Sequence, residues 1–215
     1  MPRKISLTID NGPTPGVTED VLEILDRHDV KATFFVVGEN IDNPAGQDLI
    51  AQVHAQGHRL GNHTYSHSVL FGSEPDQQKV LAEIDRTQAL LGPLGQERLF
   101  RPFGGGGNLD RAVMSRTACD HLSAHGYTMV LWNSIPNDWL DPQGWPDTAL
   151  AHMARHDWTV TVVHDLPTGA MQALGSFIVR ARESGAEFRS DYPEDLMPLV
   201  AGKRKRAIDA IMSDR

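Results

Sequence analysis

The chain has few of the features that mark membrane, disulfide-rich or nucleic-acid-binding proteins. Its 215 residues include one cysteine, so no internal disulfide can form and no cysteine cluster is available for a structural zinc site. No apolar run approaches the roughly 20 residues that cross a bilayer. The 20 Lys and Arg residues against 28 Asp and Glu residues give a net charge of −8, the opposite of a phosphate-binding surface. We therefore expect neither nucleic acid nor a membrane as a partner.

The start of this sequence also lacks the pattern of a signal peptide. The short apolar stretch after Met1-Pro2-Arg3-Lys4 soon meets Asp10, whereas an export signal carries a longer apolar region. The sequence thus predicts a cytoplasmic protein, and it leaves the oligomeric state open.

Short runs rich in β-branched residues alternate with longer stretches of helical period along the chain. Strands are predicted at Ile5–Ile9, Ala32–Val37, His58–Gly61, Leu99–Phe100, Thr128–Trp132, Thr159–Val163 and Ala186–Phe188. Helices are predicted between them, including one over Leu109–His125. Repeated strand and helix units predict a parallel α/β sheet, and about seven units favour a barrel over an open sheet. We expect one domain over residues 1–200 and a basic C-terminal tail over residues 201–215.

Ten histidines accompany the 28 acidic residues, and several residues of both kinds fall where predicted strands end. In parallel α/β folds the carboxyl ends of the strands share one edge, and ligands bind there. The chemically active residues that follow the strands are Asp10, His63, His67, Arg101, Asp138 and His164. We expect their side chains to form the functional site.

His63 and His67 are the histidines most typical of a binding pair. They are four residues apart, and on one helical turn two such rings point the same way, as in half of a metal site. The same spacing occurs in two predicted amphipathic helices, where we interpret the histidines as exposed. What distinguishes His63 and His67 is the preceding Gly61-Asn62, which predicts a turn at a strand end.

Two acid and base combinations follow from the same strand ends. Asp10 is either a turn acid or a general base, and Arg101 would keep its carboxylate ionised through a bidentate ion pair. His164 leaves a strand predicted to be buried on both faces and is a candidate proton donor. Asp138 would raise the pKa of His164 by the proximity of its charge.

The run Gly104–Gly107 has the composition of a phosphate loop without its pattern. It lacks the Lys-Ser/Thr ending and the spaced glycines of such loops. Its backbone N–H groups are candidates for holding a developing oxyanion. Trp132 and Trp139 are interpreted as walls of the site or core residues.

Five segments, taken in chain order, resemble the five motifs of the polysaccharide deacetylase family, the chitooligosaccharide deacetylase homology domain. They are Thr8-Ile9-Asp10-Asn11-Gly12-Pro13, His63-Thr64-Tyr65-Ser66-His67, Leu99-Phe100-Arg101-Pro102, Asp138-Trp139 and Val163-His164-Asp165. The resemblance spans about residues 4–190. It implies a distorted (β/α) barrel with about seven parallel strands and hydrolysis of an N-acetyl amide with the help of a divalent metal.

The resemblance also implies a role for each matching residue. Asp10 would be the general base and Arg101 its partner. His164 would be the general acid, tuned by Asp138. This assignment is chemically coherent, because one group takes a proton from water and the other delivers a proton to the departing amine.

By the same resemblance His63 and His67 would bind the metal, for which zinc is the expected ion. Asn11 stands where the family has a second aspartate that completes the metal site. An amide oxygen is neutral, so we expect the metal to be weakly held or absent. Gly104 stands where the family commonly has a tyrosine whose backbone N–H serves the oxyanion, and Trp139 would contact the substrate.

The leading hypothesis is a hydrolase of carbon–nitrogen amide bonds that removes an acetyl group from an amino sugar in a glycan. A second hypothesis is a metal-independent hydrolase of cyclic imides or ureides on the same barrel, which Asn11 and the lack of an export signal favour. A third is a glycan-binding relative without catalysis. The presence of a candidate acid and base disfavours the third hypothesis, because binding alone requires neither. The expected partner is a glycan or a small amide.

Overall fold

The computed structural model describes residues 2–214 and contains a curved sheet in which the first seven strands run parallel. The strands are β1 Lys4–Asp10, β2 Thr33–Val36, β3 Arg59–Asn62, β4 Leu99–Phe100, β5 Thr128–Met129, β6 Trp158–His164, β7 Glu187–Phe188, β8 Leu199–Val200 and β9 Lys203–Arg204. The helices are α1 Val17–Arg27, α2 Gly38–Ile41, α3 Pro44–Ala55, α4 Gln77–Leu91, α5 Arg116–Ala124, α6 Trp145–Met153 and α7 Leu174–Glu183.

The sheet curls into a distorted barrel. Its strand order is β6-β1-β2-β3-β4-β5-β8-β9, and β7 pairs with β1. The segment after β5 reaches β6 through a single parallel bridge between Ser134 and Thr161. Both β8 and β9 are antiparallel to their neighbours. The predicted distorted (β/α) barrel with about seven parallel strands is confirmed.

Strand β1 lies inside the sheet, and its burial explains its apolar sequence. It pairs with β6 from Lys4 to Asp10 and with β2 on its other side. Every residue from Ile5 to Asp10 is buried, as expected for a strand covered on both faces. Asp10 and His164 are direct partners in the register of β1 and β6. The candidate base and the candidate acid therefore leave adjacent strands at the same edge.

Helix α5 is shorter than the sequence predicts. The helix expected over Leu109–His125 begins at Arg116, and the residues before it form turns. Ser115 caps the helix, because its side chain accepts a hydrogen bond from the N–H of Ala118 at 3.1 Å. The cap sets a helix start that apolar periodicity alone misses.

The residues after position 200 pack onto the barrel as far as the structure describes them. Lys203–Arg204 is β9, which pairs with β8, and Ile208 and Ile211 lie in a buried apolar cluster. Arg204 forms an ion pair with Asp120. The boundary predicted at residue 200 stays a prediction. Within residues 2–214, no helix has both the length and the apolar content that crossing a membrane requires.

Candidate active site

The carboxyl ends of β1, β3, β4 and β6 surround a cavity of about 300 Å³. Seven of the nine predicted site residues line it, namely Asp10, Asn11, His63, His67, Gly104, Trp139 and His164. The other two, Arg101 and Asp138, lie behind its wall and are 0% exposed. The barrel thus brings the whole predicted set together, in two layers.

Asp10 is held by Arg101 from behind. The guanidinium Nη1 donates to Asp10 Oδ1 at 2.8 Å and to the hydroxyl of Thr8 at 2.7 Å, and Nε donates to the carbonyl of Val130 at 3.1 Å. The prediction of a bidentate ion pair is therefore wrong, because only one N–H reaches the carboxylate. The other N–H groups bond to the hydroxyl of Thr8 and to backbone carbonyls. The arginine fixes one carboxylate oxygen and leaves the other free to act.

His164 is held by Asp138 in a similar way. The ring Nδ1 lies 2.8 Å from Asp138 Oδ1, and the backbone N–H of His164 donates to Asp138 Oδ2 at 2.9 Å. Burial lowers the pKa of His164, but its hydrogen bond to Asp138 and the nearby carboxylate charges outweigh that effect and raise the pKa above its usual value. Trp139 packs edge-on against the imidazole, with 4.9 Å between ring centroids. The arrangement favours a protonated ring.

His63 presents its Nε2 to the cavity. Its Nδ1 lies 2.9 Å from the carbonyl oxygen of Arg101, which can only accept, so Nδ1 carries the proton and Nε2 keeps its lone pair. Nε2 is 3.5 Å from Asp10 Oδ2. Burial is the main cause that lowers the pKa of His63, and of His67, to about 3. Both rings are therefore neutral.

The two imidazoles meet through a turn. Their ring centroids are 4.6 Å apart, as expected for a pair, but the predicted helical turn is wrong. Thr64 and His67 have φ values of 68° and 52°, in the left-handed region that side chains rarely adopt. The turn starts where β3 ends, at Asn62, whose side-chain oxygen accepts the N–H of Thr64 at 3.0 Å.

The donors available for a metal carry no charge of their own. Asn11 Oδ1 is buried and has no hydrogen-bond partner, and it lines the cavity with His63 and His67. Between residues 2 and 214, no group of three or more His, Cys, Asp or Glu side chains is arranged to hold a metal. Two neutral imidazoles and an unpartnered amide oxygen fit a divalent ion chemically, without the carboxylate that usually strengthens such a site.

Trp132 is a wall residue that the sequence analysis placed in a strand. A Cβ added at Gly104 would lie 2.6 Å from its ring, so the indole fills the space above that glycine. The indole N–H donates to the carbonyl of Gly107 at 3.1 Å, which fixes the glycine loop over the ring. The one signal in the sequence is its position directly before the polar segment that leads to Asp138.

Asp165 and Glu83 are two buried carboxyl groups to which the sequence analysis gave no role. Asp165 accepts a hydrogen bond from the hydroxyl of Thr18 at 2.6 Å, and burial raises its pKa to about 7. A Cβ at Gly12 would lie 2.1 Å from its carboxylate, so the loop after β1 rests on this group. Glu83 on α4 is detectable in the sequence as the one acid in a helical stripe whose other members are Val80, Ile84, Thr87 and Leu91.

Comparison with known proteins places this chain in a family. The model of the family described as polysaccharide deacetylase matches residues 1–130. Peptidoglycan-N-acetylmuramic acid deacetylase PdaA of Bacillus subtilis is 30% identical over 203 residues, which cover 91% of this chain and 72% of that protein. The structure of a Streptococcus mutans CE4 esterase aligns with a TM-score of 0.72 at 27% identity, over 86% of this chain and 84% of that one.

The chain therefore belongs to the polysaccharide deacetylase family, as its five motifs predict. A longer relative, peptidoglycan-N-acetylglucosamine deacetylase PgdA of Listeria monocytogenes, is 29% identical over 190 residues. The match covers 86% of this chain and 37% of that protein.

Proposed function

We propose that this protein hydrolyses a carbon–nitrogen amide bond and removes the acetyl group from an N-acetylated amino sugar of a glycan. The observation that carries the proposal is the pairing of Asp10 and His164 at the ends of adjacent strands, facing one cavity. Each has its own buried partner of opposite charge, which suits one to accept a proton and the other to donate one.

Asp10 acts as the general base in this proposal. Arg101 holds Oδ1, so Oδ2 is the oxygen that takes a proton from the attacking water. Because the guanidinium is fully buried, its charge is weakly screened and attracts the carboxylate strongly, which keeps Oδ1 in place.

His164 acts as the general acid. Asp138 occupies its Nδ1, which leaves Nε2 to deliver a proton to the nitrogen of the departing amine. The raised pKa keeps the ring protonated at higher pH than an unpaired histidine, so the donor is ready when the carbon–nitrogen bond breaks.

His63, His67 and the side-chain oxygen of Asn11 would hold a divalent metal, most simply zinc. A bound divalent ion lowers the pKa of water and polarises the amide carbonyl. Asn11 contributes no charge to this set, so we propose that the ion is held weakly. Gly104 lines the cavity, and in this proposal its backbone N–H would donate to the carbonyl oxygen as charge develops, while Trp139 lines the pocket beside His164.

The test is acetate release by purified protein from chitooligosaccharides and from peptidoglycan fragments, with Zn²⁺, Co²⁺ or Ni²⁺ supplied. We expect acetate and free amine in equal amounts, and loss of both in Asp10→Asn. Asp48→Asn is a matched control, since Asp48 is an exposed carboxylate on α3. Absence of acetate from every glycan with every metal would refute the proposal.

One observation favours a second candidate, a metal-independent hydrolase of cyclic imides or ureides. The observation is that His63, His67 and Asn11 carry no charge, which suits an enzyme that needs no metal. A 300 Å³ cavity also accommodates a small ring. Ring opening of a cyclic imide in the presence of EDTA, without acetate release from glycans, would identify this activity. Binding of chitooligosaccharide without any product would indicate a glycan-binding protein instead.

A further inference from the structure

Glu83 is a buried carboxylate on the core-facing side of α4. It lies in the helical stripe of Val80, Ile84, Thr87 and Leu91, and it is 7% exposed. A carboxylate in such surroundings loses its hydration and is costly unless other groups bond to its oxygens. We therefore expect the carboxylate of Glu83 to be stabilised by hydrogen bonds from neighbouring groups.

The bonds that satisfy Glu83 all come from the turn between the two cavity histidines. Its Oε2 accepts the N–H of Tyr65 at 2.9 Å and the N–H of Ser66 at 2.8 Å. Its Oε1 accepts the hydroxyl of Ser66 at 2.8 Å. Hydrogen bonds to an ionised acceptor are stronger than neutral ones, so this carboxylate fixes the backbone of two consecutive residues of the turn.

This turn needs support because two of its residues have unfavourable backbone conformations. Thr64 and His67 adopt left-handed φ values without being glycine. On one side the N–H of Gly38 donates to the carbonyl of Thr64 at 3.0 Å. Glu83 holds the next two residues from α4, so the turn is clamped between α2 and α4.

We propose that Glu83 is a positioning residue that sets the relative placement of the His63 and His67 rings. It does not line the cavity, so it acts through the turn and not on the substrate. The inference rests on the proposed role of the two histidines as metal ligands, and its first readout requires neither activity nor metal.

The test uses Glu83→Gln, which keeps the shape and replaces one accepting oxygen with a donating amide. The remaining amide oxygen can still accept the N–H groups of Tyr65 and Ser66, but without the negative charge that strengthens these bonds, and the amide nitrogen cannot accept the hydroxyl of Ser66. In metal-free protein we expect shifted ring ¹⁵N signals of His63 and His67 and faster hydrogen exchange at Tyr65 and Ser66. We also expect Zn²⁺ affinity to fall by about tenfold, the loss typical of removed outer-shell partners. Acetate release should show a lower kcat with an unchanged KM.

Asp85→Asn is the matched control, because Asp85 is on the same helix and its carboxylate bonds to the ring of His121, at 2.7 Å, and to no residue of the turn. Its ring signals for the cavity histidines should match the wild type. Ser66→Ala removes a single hydrogen bond to Glu83 and should shift the ring signals by less, in the same direction. This variant provides the test if Glu83→Gln does not fold.

Ring signals in Glu83→Gln that match those of Asp85→Asn would overturn the inference, even if the melting temperature falls. A lower melting temperature with unchanged ring signals would mark Glu83 as a structural residue only. Shifted ring signals in Glu83→Gln, together with no acetate release by the wild type, would leave the inference standing and refute the proposed function.

Discussion

The cavity has two halves that are built from different interactions. In the charged half, Asp10 with Arg101 and His164 with Asp138 form buried or nearly buried pairs of opposite charge, each closed at 2.8 Å. In the neutral half, His63, His67 and Asn11 offer uncharged donors.

The two halves differ in whether they need a bound ion or ligand to satisfy their polar atoms. The charged half is complete within the protein, because every buried charge has its partner. The neutral half is incomplete, since Asn11 Oδ1 is buried without any hydrogen-bond partner. We infer that the acid and base are preorganised by the fold, whereas the donor set depends on what binds to it.

Breaking the charged half at Asp10 should have the largest effect. Asp10→Asn leaves the guanidinium of Arg101 buried without a counter-charge, which costs about 3–5 kcal/mol of unfolding free energy. It also removes the base, so kcat should fall by about 10²–10⁴-fold. Urea unfolding and steady-state kinetics measure the two losses. Unchanged stability would show that the pair is not buried as described.

Asp138→Asn should have a smaller effect that depends on pH. Without the carboxylate charge, burial dominates and the pKa of His164 falls. Because the acid must be protonated, the alkaline fall in kcat/KM should move to lower pH, with about tenfold less activity on the alkaline side. A pH profile measures this shift, and an unmoved alkaline limb would exclude His164 as the acid.

The same pair makes a stability prediction with a definite sign. The pKa of His164 is raised in the folded protein, so its contribution is full below the unfolded-state pKa and is lost as pH rises through the folded-state pKa. Thermal unfolding as a function of pH should lose this dependence in Asp138→Asn. A wild-type protein that gains stability from this histidine as pH rises would contradict the assignment.

A change in the cavity wall should have the smallest effect and spare both halves. In Gly104→Ala the new methyl group would contact the ring of Trp132, which must shift. We expect KM to rise by about fivefold, equal to about 1 kcal/mol, with little change in kcat. Adding Trp132→Phe, which shortens the ring, should restore KM. A fall in kcat with an unchanged KM would contradict this expectation and would mean that the new methyl group displaces the backbone N–H that is proposed to bind the developing oxyanion.

Much of the site could be predicted from the sequence because strand ends share one edge. The burial of β1 and β6 explains why Asp10 and His164 meet, and apolar runs predicted both strands. The closing bridge from Ser134 to Thr161 has no local signal, since it joins segments distant in the chain. The hydrophobic periodicity of a segment reflects its own secondary structure and cannot indicate which distant segment it contacts.

Two details of the site also escaped prediction for physical reasons. The spacing of His63 and His67 fits a helix, but Glu83, 16 residues beyond His67, supports a left-handed turn there. Arg101 gives one bond to Asp10 because backbone carbonyls of the segment after β5 take its other N–H groups. Both outcomes are set by partners that local sequence does not identify.

The most direct test of the account is calorimetric titration of Zn²⁺ into the wild type and Asn11→Asp. The account predicts weak binding by the wild type and binding at least about tenfold tighter by Asn11→Asp, because a carboxylate adds one negative charge to the neutral half. Asn43→Asp is the control, as it adds the same charge at the N-cap of α3. Equal Zn²⁺ affinity in the wild type and Asn11→Asp would contradict the claim that the missing charge limits this site.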